Sequence, residues 1–143
     1  MTSDHFPDIG VRLLEAAHVA AQRAYAPYSS FRVGAAVLSG DHLFTGCNIE
    51  NASYGLSICA ERVAIFNAIT AGAVQINGLA VTCPDASPER LMERMSCGAC
   101  LQVMEEFAAS DFILYVDRVG KFRLDELLPR PFGFRRTASN DPG

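Results

Sequence analysis

The amino-acid sequence predicts an α/β fold, a three-layer α/β/α sandwich in which a mixed five-stranded sheet lies between helices. The chain has 143 residues, half of them apolar, which suits one domain with a substantial core. Helix-like and strand-like patterns follow in the order α-β-β-α-β-α-β, with a weaker last strand. A hairpin followed by alternating helices and strands indicates a mixed sheet covered on both faces. We expect a single domain over residues 1–143, with flexible tails at about 1–7 and 135–143.

The first part of the chain predicts a helix and a β-hairpin. Apolar residues recur at three- and four-residue spacing over 8–26, which is typical of a helix. Asp8 follows a proline and can cap the helix N-terminus, and Pro27 ends the helix. Strand-like runs at 31–38 and 42–48 flank a Ser-Gly-Asp turn, which indicates a hairpin.

The second part of the chain is built around a strongly apolar helix. Small residues at 34–36 suit a helix that packs closely against the first strand. An apolar run predicts a helix over 58–71 that is buried on several sides, with Gly72 as a plausible C-cap. The remaining predicted elements are a strand at 76–83, a loop at 84–95 with a helical turn at 88–92, a helix at 98–108, strands at 111–116 and 121–124, and a short helix at 124–128.

The charge and hydropathy patterns exclude two classes of partner. Net charge is −4 and the basic residues form no long runs, which argues against nucleic-acid binding. No apolar run approaches the roughly 20 residues that cross a bilayer. The N-terminal residues lack the pattern of a secretory signal. We therefore expect a soluble cytoplasmic protein with no nucleic-acid partner and no membrane association.

The five cysteines divide into two groups. Their odd number argues against a disulfide framework. Cys47 and Cys83 lie in strand-like apolar runs, where we expect them to be buried as small hydrophobic residues. Cys59 opens one predicted helix, and Cys97 and Cys100 open the next, three residues apart. That spacing can bring two sulfurs to one helical turn.

The three helix-opening cysteines predict a zinc site. A helix N-terminus favours a thiolate over a thiol, and thiolates bind Zn²⁺. Three ligands leave one tetrahedral position open, which is typical of a catalytic centre. None of the three histidines is near these motifs. A fourth ligand from Cys47 or Cys83 would instead make the centre structural.

Glu61 and Arg62 follow the first of these cysteines. The Glu61 carboxylate can point to the open side of the metal, take a proton from water and hand it to a substrate. The alternative is that Glu61 only satisfies a helix N-terminus. Arg62 can donate to the sulfurs, or it can be an ordinary surface arginine.

Taken together, the motif Cys59-Ala60-Glu61, followed after 35 residues by Cys97-Gly98-Ala99-Cys100, resembles the cytidine deaminase family. The resemblance covers about residues 10–132. Further similar stretches are Ala26-Pro27-Tyr28-Ser29, Phe31 with 33–36, 46–54, Gln102-Val103 and 126–129.

The resemblance implies a cytidine deaminase-like fold, a bound Zn²⁺ and a small-molecule nucleoside substrate in a homotetramer. Its chemistry would be the hydrolysis of cytidine or 2′-deoxycytidine to uridine or 2′-deoxyuridine plus ammonia, in pyrimidine salvage. The implied site residues are Cys59, Cys97 and Cys100 for zinc, Glu61 for proton transfer, Asn48 and Glu50 for the ribose, Phe31 and the Ala60 backbone for the base, and Arg62 for the thiolates.

Two positions depart from the family pattern. Ser96 stands where proline is usual, and Leu101 stands where arginine is usual. One interpretation is a loosened loop and a roomier pocket that accepts N4-substituted or analogue pyrimidine nucleosides, and the alternative is neutral drift. A binding module with a structural zinc is the alternative without catalysis. Phe132 and Phe134, near the end of the chain, either reach a neighbouring subunit or seal a helix end.

Overall fold

The structure is a computed structural model that describes residues 8–134. The expected tails at 1–7 and 135–143 lie outside the described residues. The elements are α1 (Ile9–Ala21), β1 (Gly34–Ser39), β2 (His42–Cys47), α2 (Ala60–Thr70), β3 (Ile76–Thr82), α3 (Gly98–Phe107), β4 (Ala108–Val116), β5 (Gly120–Phe122) and α4 (Leu124–Leu127), with 3-10 turns at Tyr54–Leu56 and Leu91–Arg94.

The strands form one mixed sheet in the order β2-β1-β3-β4-β5. Strand β1 is antiparallel to both β2 and β3, β3 is parallel to β4, and β4 is antiparallel to β5. This confirms the predicted mixed five-stranded sheet. Within residues 8–134, no helix has the length and apolar character needed to cross a membrane.

Successive residues of β1 face two different helix layers, because side chains alternate along a strand. Ala36 packs with Leu13 and Ala17 of α1 on one face of the sheet. Ala35 and Val37 belong to the larger core on the other face, which includes buried residues of α2 and α3. The sheet is therefore the middle of three layers, as predicted.

Two glycines allow the helices to approach the sheet closely. A Cβ atom at Gly34 would lie 2.0 Å from the carbonyl oxygen of Ala17 in α1. A Cβ atom at Gly46 would lie 2.4 Å from the backbone nitrogen of Ala64 in α2. The predicted close packing of a helix on residues 34–36 is confirmed, and Gly46 provides a second such contact.

Helix α1 ends at Ala21, so the predicted helix over 8–26 was too long. Tyr25 pairs with Ile49 in a parallel bridge, and its backbone N–H donates to the Asn48 carbonyl at 3.0 Å. This long-range pairing, rather than Pro27, takes the chain out of the helix. Asp8 occupies the N-cap position, but its side chain makes no capping hydrogen bond.

The ends of α2 follow the predicted signals closely. Cys59 is the N-cap residue, and Gly72 follows the helix with φ +107°. The N–H of Gly72 donates to Ile69 and that of Ala73 to Ala68, which together form a Schellman motif. The prediction that α2 is buried on several sides was wrong at Phe66, because that side chain is 45% exposed.

Other boundaries also differ from the sequence prediction. Strand β4 begins at Ala108, directly after α3, rather than at residue 111. The turn in the loop after β3 lies at Leu91–Arg94 rather than at 88–92. Its last residue, Arg94, is buried and donates to two backbone carbonyls of the same loop, a contact that no local pattern reveals.

Replacing Gly34 with alanine should lower the free energy of unfolding by about 2–3 kcal/mol, because its methyl group cannot fit against α1. Urea unfolding followed by circular dichroism measures this change. Gly55→Ala is the matched control, since nothing lies within 4 Å of a Cβ atom there, and it should stay within about 0.5 kcal/mol of the parent. Equal stability of the two variants would contradict the packing described here.

Candidate active site

The predicted metal residues Cys59, Cys97 and Cys100 come together in what we call the thiol cluster. Cys59 caps α2, Cys97 caps α3, and Cys100 lies in the first turn of α3. The Sγ atoms are 4.0 Å apart between Cys59 and Cys97 and 3.6 Å apart between Cys97 and Cys100. Zn–S bonds of about 2.3 Å in a tetrahedral site place sulfurs roughly 3.8 Å apart. The cluster therefore has the size of a zinc site.

No fourth protein donor joins the thiol cluster among residues 8–134. Cys83 is buried, as predicted, and its thiol lies 3.7 Å from the Glu93 carbonyl. Cys47 is only half-buried and contacts the Arg23 carbonyl at 3.4 Å, so the prediction of burial was wrong for Cys47. Cys47 lies at the end of an edge strand, where the sheet covers it on one side only. The described residues thus leave one tetrahedral position for a non-protein ligand.

Contacts within the thiol cluster and with Arg62 shift the pKa values of its thiols in opposite directions. The pKa of Cys59 is lowered to about 5, first by a hydrogen bond from Cys100 and then by the Arg62 guanidinium. The hydrogen bond to Cys59, followed by burial, raises the pKa of Cys100. Negative charges at such short distances repel one another, so neighbouring thiolates require a cation. A divalent ion such as Zn²⁺ supplies the charge that would allow all three sulfurs to ionise.

Arg62 lies behind the thiol cluster. One terminal nitrogen of Arg62 donates to Cys59 Sγ at 3.4 Å, and this bond raises the pKa of the guanidinium. Its Nε is buried without a hydrogen-bond partner in the part of the chain that the structure describes. This half-buried position matches the predicted contact with the sulfurs and not a free surface arginine.

Glu61 is buried in the first turn of α2, with 4% of its surface exposed. Burial raises the pKa of its carboxyl group, since the charged form loses its water. A glutamate that serves only the helix dipole would remain in solvent. A buried carboxyl group whose pKa is raised, beside a thiol cluster, suits a residue that accepts and returns a proton.

A cavity of about 230 Å³ lies next to Glu61 and the thiol cluster. It forms where β1 begins and where β2 and β3 end, because Gly34 pairs with both Cys47 and Thr82. The predicted site residues that line it are Phe31, Asn48, Glu50, Cys59, Ala60, Glu61 and Cys97. The lining residues that were not predicted are Val33, Ser57, Ile58, Val81, Cys83, Glu93 and Met95.

Part of this second group could have been found from the sequence. Val81 and Cys83 are two residues apart at the end of β3, so strand alternation places them on one face. Glu93 and Met95 come from an irregular loop, and no local pattern brings them to the cavity.

Asn48 and Glu50 each use both polar atoms of the side chain to hold residues 28–33, which we call the entry segment. The Asn48 side chain accepts from the Val33 N–H at 2.9 Å and donates to the Phe31 carbonyl at 2.8 Å. Glu50 accepts from the backbone N–H groups of residues 28 and 29 at 3.0 and 3.2 Å, and from the hydroxyl of Ser29. These side-chain bonds explain why β1 begins at Gly34 and not at residue 31.

The two departures from the family pattern lie behind the cavity wall. Ser96 is buried, and its hydroxyl has no hydrogen-bond partner of good geometry among the described residues. It still lies close enough to the Glu61 carboxyl to lower its pKa, against the larger effect of burial. Leu101 packs in the core beneath the sheet. Neither side chain lines the cavity, so neither widens it directly.

Comparisons with known proteins agree with this geometry. The family model described as "Cytidine and deoxycytidylate deaminase zinc-binding region" matches residues 9–116, which include the whole thiol cluster. A protein of Halalkalibacterium halodurans named cytidine deaminase is 41% identical over 84% of this chain and 91% of its own length. The cytidine deaminase of Mycobacterium tuberculosis is 42% identical over 89% of this chain and 92% of its own length.

Solved structures give the same result. A crystal structure of the Mycobacterium tuberculosis cytidine deaminase superposes with a TM-score of 0.76 at 36% identity, covering 90% of this chain and 100% of that chain. A crystal structure of the Burkholderia pseudomallei cytidine deaminase superposes with a TM-score of 0.71 at 40% identity, covering 85% of this chain and 98% of that chain. The matched region, the fold and the thiol cluster all agree, and the chain therefore belongs to the cytidine and deoxycytidylate deaminase family.

Proposed function

We propose that this chain catalyses the zinc-dependent hydrolysis of cytidine and 2′-deoxycytidine to uridine and 2′-deoxyuridine, with release of ammonia. The observation that carries the proposal is a buried carboxyl group, Glu61, in the same cavity as a thiol cluster that has room for one more ligand. A purely structural zinc centre would need neither the cavity nor a buried carboxyl group beside it. The relatives named cytidine deaminase support the choice of substrate.

The thiol cluster would hold the zinc ion. When bound, the ion supplies a Lewis acid that makes water nucleophilic near neutral pH. Glu61 receives a proton from the water that attacks ring carbon C4, and delivers it to ring nitrogen N3. The same carboxyl group then takes the proton of the hydroxyl now on C4 and passes it to the C4 amino group, which leaves as ammonia when the C4–N bond breaks and the C4 carbonyl forms. Its buried position keeps bulk water from competing for these protons.

The other lining residues would bind the nucleoside. Phe31 packs on the pyrimidine ring, and the backbone of Ala60 contacts the base. Asn48 and Glu50 hydrogen-bond the ribose hydroxyls with the capacity that the entry segment leaves free, since an amide nitrogen has two N–H donors and a carboxylate has about four lone-pair sites. Both side chains face the cavity, which supports this role.

The assembled protein is proposed to be a cytoplasmic homotetramer. Several large apolar side chains are exposed on the single chain: Tyr54, Leu56, Phe66 and Val74. A groove of about 500 Å³ also crosses the edge strand β2 and is lined by residues of α1, β2 and α2. Exposed apolar surface of this kind is typical of protein interfaces. All five cysteines are free, which fits the reducing cytoplasm.

Replacing Glu61 with glutamine should lower kcat for cytidine by about 10²–10⁴-fold, because the amide cannot carry the proton. The loss of cytidine absorbance measures turnover, and mass spectrometry measures zinc per chain, which should not change. Glu15→Gln, at an exposed position on α1, is the control and should retain full activity. A Glu61→Gln enzyme with more than a small fraction of the parent kcat would refute the role of Glu61.

Replacing Cys97 with serine should remove most of the bound zinc and the activity with it, because a hydroxyl is a much poorer zinc ligand than a thiolate. Cys47→Ser is the matched control, because the Cys47 thiol lies outside the cluster. This variant should keep both its zinc and its activity. Elemental analysis after dialysis gives the zinc content. Full zinc occupancy in the Cys97 variant would show that the thiol cluster does not hold the metal.

Size-exclusion chromatography with light scattering should give about four times the 15.4 kDa mass of one chain. Replacing exposed Phe66 with glutamate should lower that mass, since a charge would then lie in an apolar interface. Glu15→Gln, a substitution at an exposed polar position, is the control and should leave the mass unchanged. A parent protein with the mass of a single chain would contradict the homotetramer.

A further inference from the structure

Arg32 and Asp85 join two walls of the cavity that are far apart in sequence. Three hydrogen bonds run to one carboxylate: from the Arg32 backbone N–H at 2.8 Å, from Nε at 2.9 Å and from a terminal nitrogen at 2.8 Å. The side-chain part is the two-pronged geometry that makes arginine–carboxylate pairs strong. The hydrogen bond from the Arg32 side chain is the main reason that the pKa of Asp85 is lowered to about 2.

Each partner is part of a segment that borders the cavity. Arg32 stands between Phe31 and Val33 of the entry segment, and both of these neighbours line the cavity. Asp85 belongs to residues 83–95, which we call the loop segment. The loop segment lines the cavity with Cys83, Glu93 and Met95.

Hydrogen bonds on each side order the residues that flank the pair, but none of these bonds joins the entry segment to the loop segment. The backbone of Phe31 is fixed by the Ser29 hydroxyl at 3.0 Å and by Asn48 at 2.8 Å. On the other side, the buried Arg94 side chain donates to the carbonyls of Cys83 and Ala86, at 3.3 and 3.1 Å. Asp85 lies between these two carbonyls and is therefore fixed as well.

The fixed backbones on either side distinguish the Arg32–Asp85 pair from an ordinary surface ion pair. The Arg32 and Asp85 side chains are 47% and 27% exposed. Exposed pairs contribute little, largely because two flexible side chains must be ordered to make them. Here the backbones on both sides are already fixed, and the carboxylate also accepts a backbone N–H.

We infer that Arg32 and Asp85 are positioning residues for nucleoside binding. The pair holds the entry segment at a fixed distance from the loop segment, and so sets the space that the pyrimidine ring occupies beside Phe31. This inference rests on the proposed function. The pair acts on binding rather than on chemistry, because Glu61 and the thiol cluster are held by α2 and α3.

The test is a steady-state analysis of Asp85→Asn and Arg32→Lys with cytidine. The first variant removes the charge, and the second keeps the charge but loses the two-pronged geometry. We expect KM to rise about three- to tenfold in each, with kcat within about twofold of the parent and zinc content unchanged. If one variant fails to fold, the other carries the same comparison.

Asp125→Asn is the matched control. It removes another exposed arginine–aspartate contact, from Arg123 at 3.1 Å, whose residues do not line the cavity. Its KM should equal that of the parent. Calorimetric titration of cytidine into Glu61→Gln protein, with and without Asp85→Asn, should show the same weakening of Kd without any turnover.

The outcomes separate this inference from the proposed function. A parent protein that does not deaminate cytidine defeats the proposed function itself. An active parent, with KM unchanged in Asp85→Asn and Arg32→Lys, overturns only the inference about the pair. A loss confined to kcat also overturns it, because the pair would then act on the chemical step.

Discussion

The gathering of three sulfurs within 4.8 Å of one another is the constraint on which the rest of the structure depends. Thiolates repel at this distance, so the fold must bring them together and surround them with compensating charge. Two helix N-termini bring the sulfurs together, since Cys59 and Cys97 are the N-cap residues of α2 and α3. The Arg62 guanidinium contributes part of the compensating charge, and a divalent ion completes it.

The sheet determines where these helices begin. Gly46 allows α2 to lie almost against β2, and Gly34 does the same for α1 on the opposite face. Three chain segments meet at the same end of the sheet, along the strand direction, because β1 starts where β2 and β3 end. Irregular backbone at that end forms the cavity, and side-chain hydrogen bonds from Asn48 and Glu50 replace the strand pairing that stops there.

The sequence predicts the metal site and the fold class well because both depend on local signals. Cysteines at helix N-termini with a following glutamate, and apolar periodicity, can be recognised without long-range information. The errors come from contacts between distant residues. Tyr25 leaves α1 to pair with Ile49, and Arg32 contacts Asp85 across 53 positions. Phe66 looks like a core residue by composition, yet it is exposed on the single chain.

The central claim is that the thiol cluster holds a zinc ion with an open position beside Glu61. X-ray absorption at the zinc edge tests it most directly, on the zinc-loaded protein without substrate. The account predicts three sulfur neighbours at about 2.3 Å and one oxygen neighbour at about 2.0 Å. A spectrum with four sulfurs, or with a histidine nitrogen as the fourth neighbour, would contradict it and indicate a closed structural centre.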